Sequence, residues 1–166
     1  MLRKMKIPII VIVIVMLNQA AGYAVHAAMP EAFRPAGTTR YAVVSASDEV
    51  SNSSYGWANI PGLSQSITIP SGKRGDIMIL FCGVIKVSTS PMNQWVSAQV
   101  GGSRATPSAV LLETTALARE SRCSNFYKLN VAAGTKTVRM QWSIDSPAAT
   151  QYLTERSMIV IVNLHD

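Results

Sequence analysis

The sequence predicts an all-β protein: a two-sheet antiparallel sandwich of the jelly-roll kind, preceded by a helical signal peptide. Between residues 76 and 87 (DIMILFCGVIKV), apolar side chains occupy both alternating sets of positions, and a strand presents these two sets to opposite faces. Residues 158–162 (MIVIV) show the same pattern. Both faces of these strands should therefore be shielded, one by a second sheet and the other by something else, such as another subunit.

The remaining elements follow from alternation and from turn residues. Residues 137–144 (TVRMQWSI) alternate strictly between apolar and polar, which predicts a half-buried strand. Gly101-Gly102 and Ala133-Gly134 indicate chain reversals, and Lys73-Arg74 between two glycines indicates a hairpin tip. Residues 110–117 fit either a strand or a short helical turn. The other predicted strands are 41–47, 57–63, 65–69, 94–100, 124–131, 151–153 and 156–164.

Residues 1–27 have the three parts of a secretory signal peptide. A basic start is followed by an apolar run from 9 to 17 and by small residues at 25–27, so we expect cleavage after Ala27. The alternative is an uncleaved membrane anchor. It is disfavoured because a spanning helix needs about 20 apolar residues, whereas this run is interrupted at Asn18.

Removal of 27 of the 166 residues leaves 139, enough for one domain. Residues 28–39 have no periodicity and predict an extended arm, and residues 40–166 predict a single β-sandwich domain. The mature chain keeps twelve basic and nine acidic residues, a net charge of +3. Because the basic residues are scattered, we expect no nucleic-acid partner, and membrane contact only through the leader. The predicted location is secreted, or periplasmic and cell-envelope.

The two cysteines, Cys82 and Cys123, are an even number in an exported chain, which predicts a disulfide. The alternative is a pair of free buried thiols. A bond between them would span 41 positions and stabilise the fold by about 4 kcal/mol in the chain-entropy model.

A series of short motifs supports a family resemblance. Trp57-x-x-Ile-Pro-Gly-Leu-Ser64, Ile67-x-Ile-Pro70, Asp76-Ile-x-Ile-x-Phe81 and Ala133-Gly-Thr-x-Thr-Val138 precede a closing apolar strand. This order resembles uncharacterised exported bacterial β-sandwich proteins and, more loosely, the C1q and tumour-necrosis-factor jelly rolls, over most of the mature chain. Those jelly rolls assemble as trimers with apolar outer strands at the threefold axis. The resemblance therefore implies a homo-oligomer, with a trimer as the model.

The sequence has few residues that could form a catalytic or cofactor-binding site, so we expect that the protein is not an enzyme and has no cofactor. His165, next to the C-terminus, is the only histidine after the leader, so a Ser-His-Asp or Cys-His site would have to be built there. One histidine and two cysteines are also too few for a closed zinc site, which needs four ligands. The carboxylates fall mainly in predicted loops and strand ends, where solvated surface explains them. Asp48, Glu49 and Asn52 form an alternative calcium site through oxygen ligands.

Two functions from different classes remain. The first is a non-enzymatic, self-associating structural or assembly protein of the envelope or exterior, suggested by the two-sided apolar strands. The alternative is a carbohydrate-binding module that uses Tyr55, Trp57 and Trp95 near strand ends, where rings can stack on glycans. For each of these rings, core packing is the favoured explanation over ligand binding.

Overall fold

The computed structural model describes residues 38–89, 92–113, 118–146 and 148–166. The predicted signal peptide and residues 28–37 of the predicted arm lie outside the described residues. Among the described residues, no helix has the length and hydrophobicity to cross a membrane. The described part is all-β, as predicted, and its strands are β1 (Thr38–Ala46), β2 (Val50–Asn52), β3 (Ala58–Val87), β4 (Gln94–Val100), β5 (Ser103–Arg104), β6 (Val110–Glu113), β7 (Glu120–Ile144) and β8 (Gln151–His165).

One antiparallel hydrogen-bonded sheet contains all eight strands, in the order β1-β8-β3-β7-β4-β5, with β2 also pairing β8 and β6 also pairing β4. Two strands are unusually long: β3 has 30 residues and β7 has 25. Their mutual register shifts between Ile69 and Arg74, where Gly72 and Gly134 adopt φ values of 75° and 112°. Glycine adopts such values without steric cost. We infer that β3 and β7 bend together there, so that the sheet folds over itself.

The bend divides the sheet into two layers. Layer 1 contains residues 58–69 of β3, residues 134–144 of β7, and β4, β5 and β6. Layer 2 contains residues 74–87 of β3, residues 120–132 of β7, and β8, β1 and β2.

The inner faces of the two layers share one hydrophobic core. Phe81 of layer 2 and Trp142 of layer 1 are both at most 1% exposed and belong to the same cluster of buried side chains. A sheet face reaches such burial only when a second layer covers it. The structure thus confirms the sandwich, with the refinement that its layers are continuous through β3 and β7.

The two sets of apolar side chains in residues 76–87 differ in how deeply they are buried. Ile77, Ile79 and Phe81 point into the sandwich and are fully buried. Met78 and Leu80 point outward and are only half-buried. The expectation that both faces are shielded therefore holds for the inner side alone within the described residues.

Several predicted strand boundaries differ from the observed ones, because a bend within a strand and a chain reversal between strands favour the same residue types. Lys73-Arg74 lies in the bend of β3 and not at a hairpin tip, and β7 continues through Ala133-Gly134. Both long strands therefore join segments that were predicted separately. The turn at Gly101-Gly102 is present as predicted.

The strand ends differ more modestly. β1 begins at Thr38, so the last two residues of the predicted arm belong to a strand. The ambiguous segment begins as a strand, β6, and its residues 114–117 lie outside the described part. The two predicted C-terminal strands form one strand, β8, whose pairing with β3 shifts register once.

Candidate functional site

The outer face of layer 2 presents two neighbouring rows of apolar side chains. Cross-strand pairing sets these rows, because directly opposed residues of antiparallel strands point to the same face. Together the rows form what we call the open face: Tyr41, Ile161, Met78 and Tyr127 in one row, and Val43, Ile159 and Leu80 in the next.

The open face is exposed most at its edge strand. Tyr41 is 79% exposed and Val43 is 56% exposed, whereas the side chains of the open face on β3, β7 and β8 are half-buried. None of its seven residues carries an acidic or basic group. On one side the apolar rows are followed by a row of serines and the two cysteines: Ser45, Ser157, Cys82 and Cys123.

The outer face of layer 1 contains buried polar side chains, and the protein's own chain lies over them. We call it the covered face, defined by Ser97, Gln141 and Ser143, each at most 9% exposed. Ser97 Oγ donates a hydrogen bond to the backbone oxygen of Ser108 at 2.7 Å. Ser143 Oγ donates to the backbone oxygen of Tyr55 at 2.9 Å, and Gln141 Nε2 donates to Asn59 Oδ1 at 3.0 Å.

The three aromatic residues predicted for ligand binding lie on the side of the covered face, in different environments. Tyr55 is 67% exposed. Trp95 is half-buried, opposite Leu111 on one side and Ser143 on the other. The Trp57 ring lies under the guanidinium of Arg104, whose Cζ is 4.6 Å from the ring centroid.

The cation–π contact changes how these aromatics are interpreted. It covers one face of the Trp57 ring, which favours a role in fixing the loop before β3. Sequence reasoning missed Arg104, because its position opposite Gln99 depends on the pairing of β4 with β5. It also missed Tyr41 and Val43, although their alternation resembles that of Met78 with Leu80.

The predicted disulfide between Cys82 and Cys123 is confirmed, with an S–S distance of 2.09 Å. The two residues are direct partners in the pairing of β3 with β7. Cys123 is exposed and Cys82 is half-buried, so the alternative of two free buried thiols is wrong. The bond lies on the outside of layer 2, beside the apolar rows.

His165 occupies the last position of β8 rather than a frayed end. Its Nε2 atom lies 3.3 Å from Oδ1 of Asp76, and its side chain is 22% exposed. The Asp76 carboxylate also accepts a hydrogen bond from the backbone N–H of Asn130 at 2.8 Å. This pair therefore ties the end of β8 to β3 and β7.

Guanidinium groups pair with the carboxylates of the calcium alternative. Asp48 Oδ1 lies 3.1 Å from the Arg156 guanidinium, which is buried, and Glu49 Oε2 lies 2.9 Å from that of Arg119. A cation would have to compete with these ion pairs. Among the described residues, no group of three or more His, Cys, Asp or Glu side chains is positioned to hold a metal.

Known proteins resemble this chain in structure and not in sequence. No protein-family model matches the chain. No curated protein matches it either.

The comparison with solved structures found, among others, the following three. A subviral-particle protein, VP2 of infectious bursal disease virus, has a TM-score of 0.54 at 10% identity, over 75% of this chain and 33% of that one. Dimeric latent PorU from Porphyromonas gingivalis has a TM-score of 0.51 at 10% identity, over 77% of this chain and 13% of that one. A carbohydrate-binding module, CBM36, in complex with calcium and xylotriose, gives only 0.34 at 13% identity, over 75% of this chain and 99% of that one.

The first two likenesses show a β-sandwich or jelly-roll fold and no more. This chain spans a third or less of those two proteins. The resemblance to exported bacterial proteins and to the C1q and tumour-necrosis-factor jelly rolls stays a prediction.

Proposed function

We propose that this protein is a non-enzymatic structural or assembly protein that self-associates through the open face. The observation that carries the proposal is the pair of uncharged apolar rows on the outside of layer 2, with Tyr41 79% exposed and Val43 56% exposed. Apolar surface of this kind is stabilised when it is removed from water. Contiguous apolar patches on exported domains commonly mark contact surfaces.

A second copy of the chain is the occupant that the open face fits. A symmetric interface must be complementary to itself, and an apolar, uncharged surface meets this condition, whereas a charged one repels its copy. The open face extends across four neighbouring strands, β1, β8, β3 and β7, so a second copy would meet it across the full width of layer 2.

An exported location supports this function. The disulfide between Cys82 and Cys123 is typical of proteins outside the cytoplasm, where such bonds persist. Similarity to VP2 of a subviral particle supports the fold alone, at 10% identity. The assembly proposal therefore rests on the open face itself.

A matched pair of charge substitutions tests the proposal. Val43→Lys places a cation on the open face, and Leu111→Lys places one at a similarly exposed apolar residue of layer 1, 43% exposed. Light scattering after size-exclusion chromatography should show an oligomer for the unmodified protein at micromolar concentration. Val43→Lys should shift the protein towards monomer, because like charges would meet in the interface, and Leu111→Lys should have no such effect.

Two outcomes contradict the proposal. One is a monomer at all accessible concentrations. The other is an oligomer that Leu111→Lys weakens as strongly as Val43→Lys does. Thermal unfolding of both variants checks that each retains the fold.

A second candidate function is carbohydrate binding beside the covered face. The exposed ring of Tyr55 favours this function. Ser143 binds the backbone oxygen of Tyr55 and lies directly opposite Trp95, so Tyr55 and Trp95 belong to the same region of the surface. Aromatic rings at such surfaces stack on glycans. A glycan array should then show binding that Tyr55→Ala or Trp95→Ala removes and that Tyr41→Ala, at an exposed ring of the open face, leaves intact. No binding, or equal loss with all three variants, contradicts this candidate.

A further inference from the structure

The edges of the sandwich differ in how well they are protected. β2, β5 and β6 are short, with three, two and four residues. The first part of β3 contains Pro61, and its pairing with β7 shifts register between Asn59 and Ser64. The free side of the first part of β7 receives a bridge from Thr106 to Tyr127. Short strands, prolines, irregular pairing and covering segments all hinder pairing with another chain.

β1 has none of these protections. Its nine residues (TTRYAVVSA) pair one-to-one with β8 along their whole length, without a shift in register. It contains no proline, and Arg40 is its only charged residue. Threonine, tyrosine and valine favour strands. Within the described residues, β1 is therefore the long regular edge with unpaired backbone donors and acceptors.

The edge of β1 is also accessible. A groove of about 170 Å³ lies between β1 and the first part of β3, with Val162 of β8 contributing to its wall. The remaining lining residues are Arg40, Tyr41, Ala42, Ser66, Ile67 and Thr68. The groove separates the two strands around Ala42, whereas Ala46 at the end of β1 packs against Gly62 of β3, so the edge is open in its middle part.

We propose that β1 pairs antiparallel with β1 of a second copy, about a twofold axis at Ala42. This inference rests on the self-association proposed above and adds to it a second contact, through the edge of layer 2 rather than through its outer face. Ala42 is the middle residue of Thr38–Ala46, so an axis there pairs all nine residues. The two layers 2 then form one continuous sheet across the dimer, and strand addition of this type uses the backbone groups that the edge leaves free.

The register about Ala42 is favourable on each side of the axis. Tyr41 lies opposite the partner's Val43, an aromatic and β-branched pair of the kind that stabilises neighbouring strands. Arg40 lies opposite the partner's Val44, so the two arginines do not face each other. The open faces of the two copies become one contiguous apolar surface, because Tyr41 and Val43 are the ends of its two rows.

Cysteine cross-linking of the purified full chain tests the register. In Ala42→Cys the two new cysteines face each other with Cα atoms about 4.5 or 5.5 Å apart. Such separations fall within the range of disulfides. Ser45→Cys is the matched control: it is exposed on the same strand, but six positions of offset place the two cysteines about 20 Å apart.

Mild oxidation should link Ala42→Cys into a dimer on non-reducing gels and leave Ser45→Cys monomeric. Size-exclusion chromatography of the same samples separates two kinds of failure. An oligomer in which Ala42→Cys does not cross-link, or in which Ser45→Cys does so equally, overturns the β1 pairing and leaves self-association standing. A monomer at all concentrations overturns both.

Hydrogen exchange gives a second readout that needs no substitution. Alternate β1 amides that point away from β8 should exchange more slowly as the protein concentration rises, because the partner strand accepts their hydrogen bonds. Exchange in β1 that is independent of concentration, in a protein that associates, overturns the pairing.

Discussion

The two outer faces of the sandwich differ in what lies over them. On the covered face, Ser97 and Ser143 are buried beneath the chain's own loops, and their hydroxyls hold those loops by hydrogen bonds to backbone oxygens. On the open face, Met78 and Leu80 lie in the same two rows as the exposed Tyr41 and Val43, with no charged group among them.

This difference shows how the polarity of a strand's outer side chains decides what covers it. Polar side chains can bind a loop of the same chain, because a directional hydrogen bond fixes the loop in one place. Apolar rows offer no directional contact, and their burial releases free energy whichever apolar surface covers them. Within the part of the chain that the structure describes, no loop lies over the open face, so this is the face available to another molecule.

The largest expected effect concerns the disulfide on layer 2. The double variant Cys82→Ala/Cys123→Ala should lose about 4 kcal/mol of unfolding free energy, because the bond closes a loop with a separation of 41 residues. Urea unfolding measures the loss. The bond lies on the outer side of layer 2, beside the open face. If the variant loses stability but still associates when folded, strand pairing alone is enough to hold the residues of the open face in place. A loss below 1 kcal/mol would contradict the prediction.

Two neighbouring residues of β3 compare the inner and outer sides of layer 2 directly. Ile79→Ala should cost about 3 kcal/mol, because Ile79 is fully buried between the layers and its removal leaves a cavity. Leu80→Ala, on the half-buried open face, should cost about 1 kcal/mol in the monomer and should weaken association. Chemical unfolding and light scattering measure the two quantities. Equal losses of stability at both positions would mean that the open face is shielded within the monomer.

Much of this contrast was predictable from alternation. Val138, Met140, Trp142 and Ile144 share one parity in the sequence, and all four are buried between the layers. The two-sided residues 76–87 correctly indicated a strand with an apolar outer side.

The rest depends on long-range pairing. A bend that preserves the hydrogen-bonded ladder uses the same left-handed glycines as a turn, so Gly134 indicated a break where β7 continues. The open face joins residues as distant in sequence as Tyr41, Met78 and Ile161, and their alignment is a property of the register. For the same reason, Arg104 over Trp57 left no signal in the local sequence.

Removing a single hydroxyl tests the role of hydrogen bonds on the covered face. Ser143→Ala should cost about 1 kcal/mol, because the backbone oxygen of Tyr55 loses its donor. The matched variant, Ser45→Ala, changes an exposed serine beside the open face and should fall within about 0.5 kcal/mol of the unmodified protein. Thermal unfolding compares them. Exchange of the amides at 53–57 should also accelerate in Ser143→Ala alone, and unchanged exchange would contradict a loop-holding role.

The smallest expected effect is a dependence of stability on pH at the end of β8. The hydrogen bond from Lys73, together with its positive charge, lowers the pKa of Asp166 below its usual value of 3.8. A lowered pKa stabilises the folded state above the unfolded value, and this contribution disappears as the pH falls through the folded value. It should be small, because the Asp166 side chain is 91% exposed and solvent screens the pair.

Lys73→Gln therefore should lower the unfolding free energy slightly at neutral pH and not at all in strong acid. Urea unfolding as a function of pH measures this difference, and a difference that persists in strong acid would assign the effect to packing. Association should not change in Lys73→Gln at any of these pH values, since no residue of the open face is acidic or basic. A pH-dependent change of oligomer size in this variant would show that charge at the bend of β3 contributes to the interface.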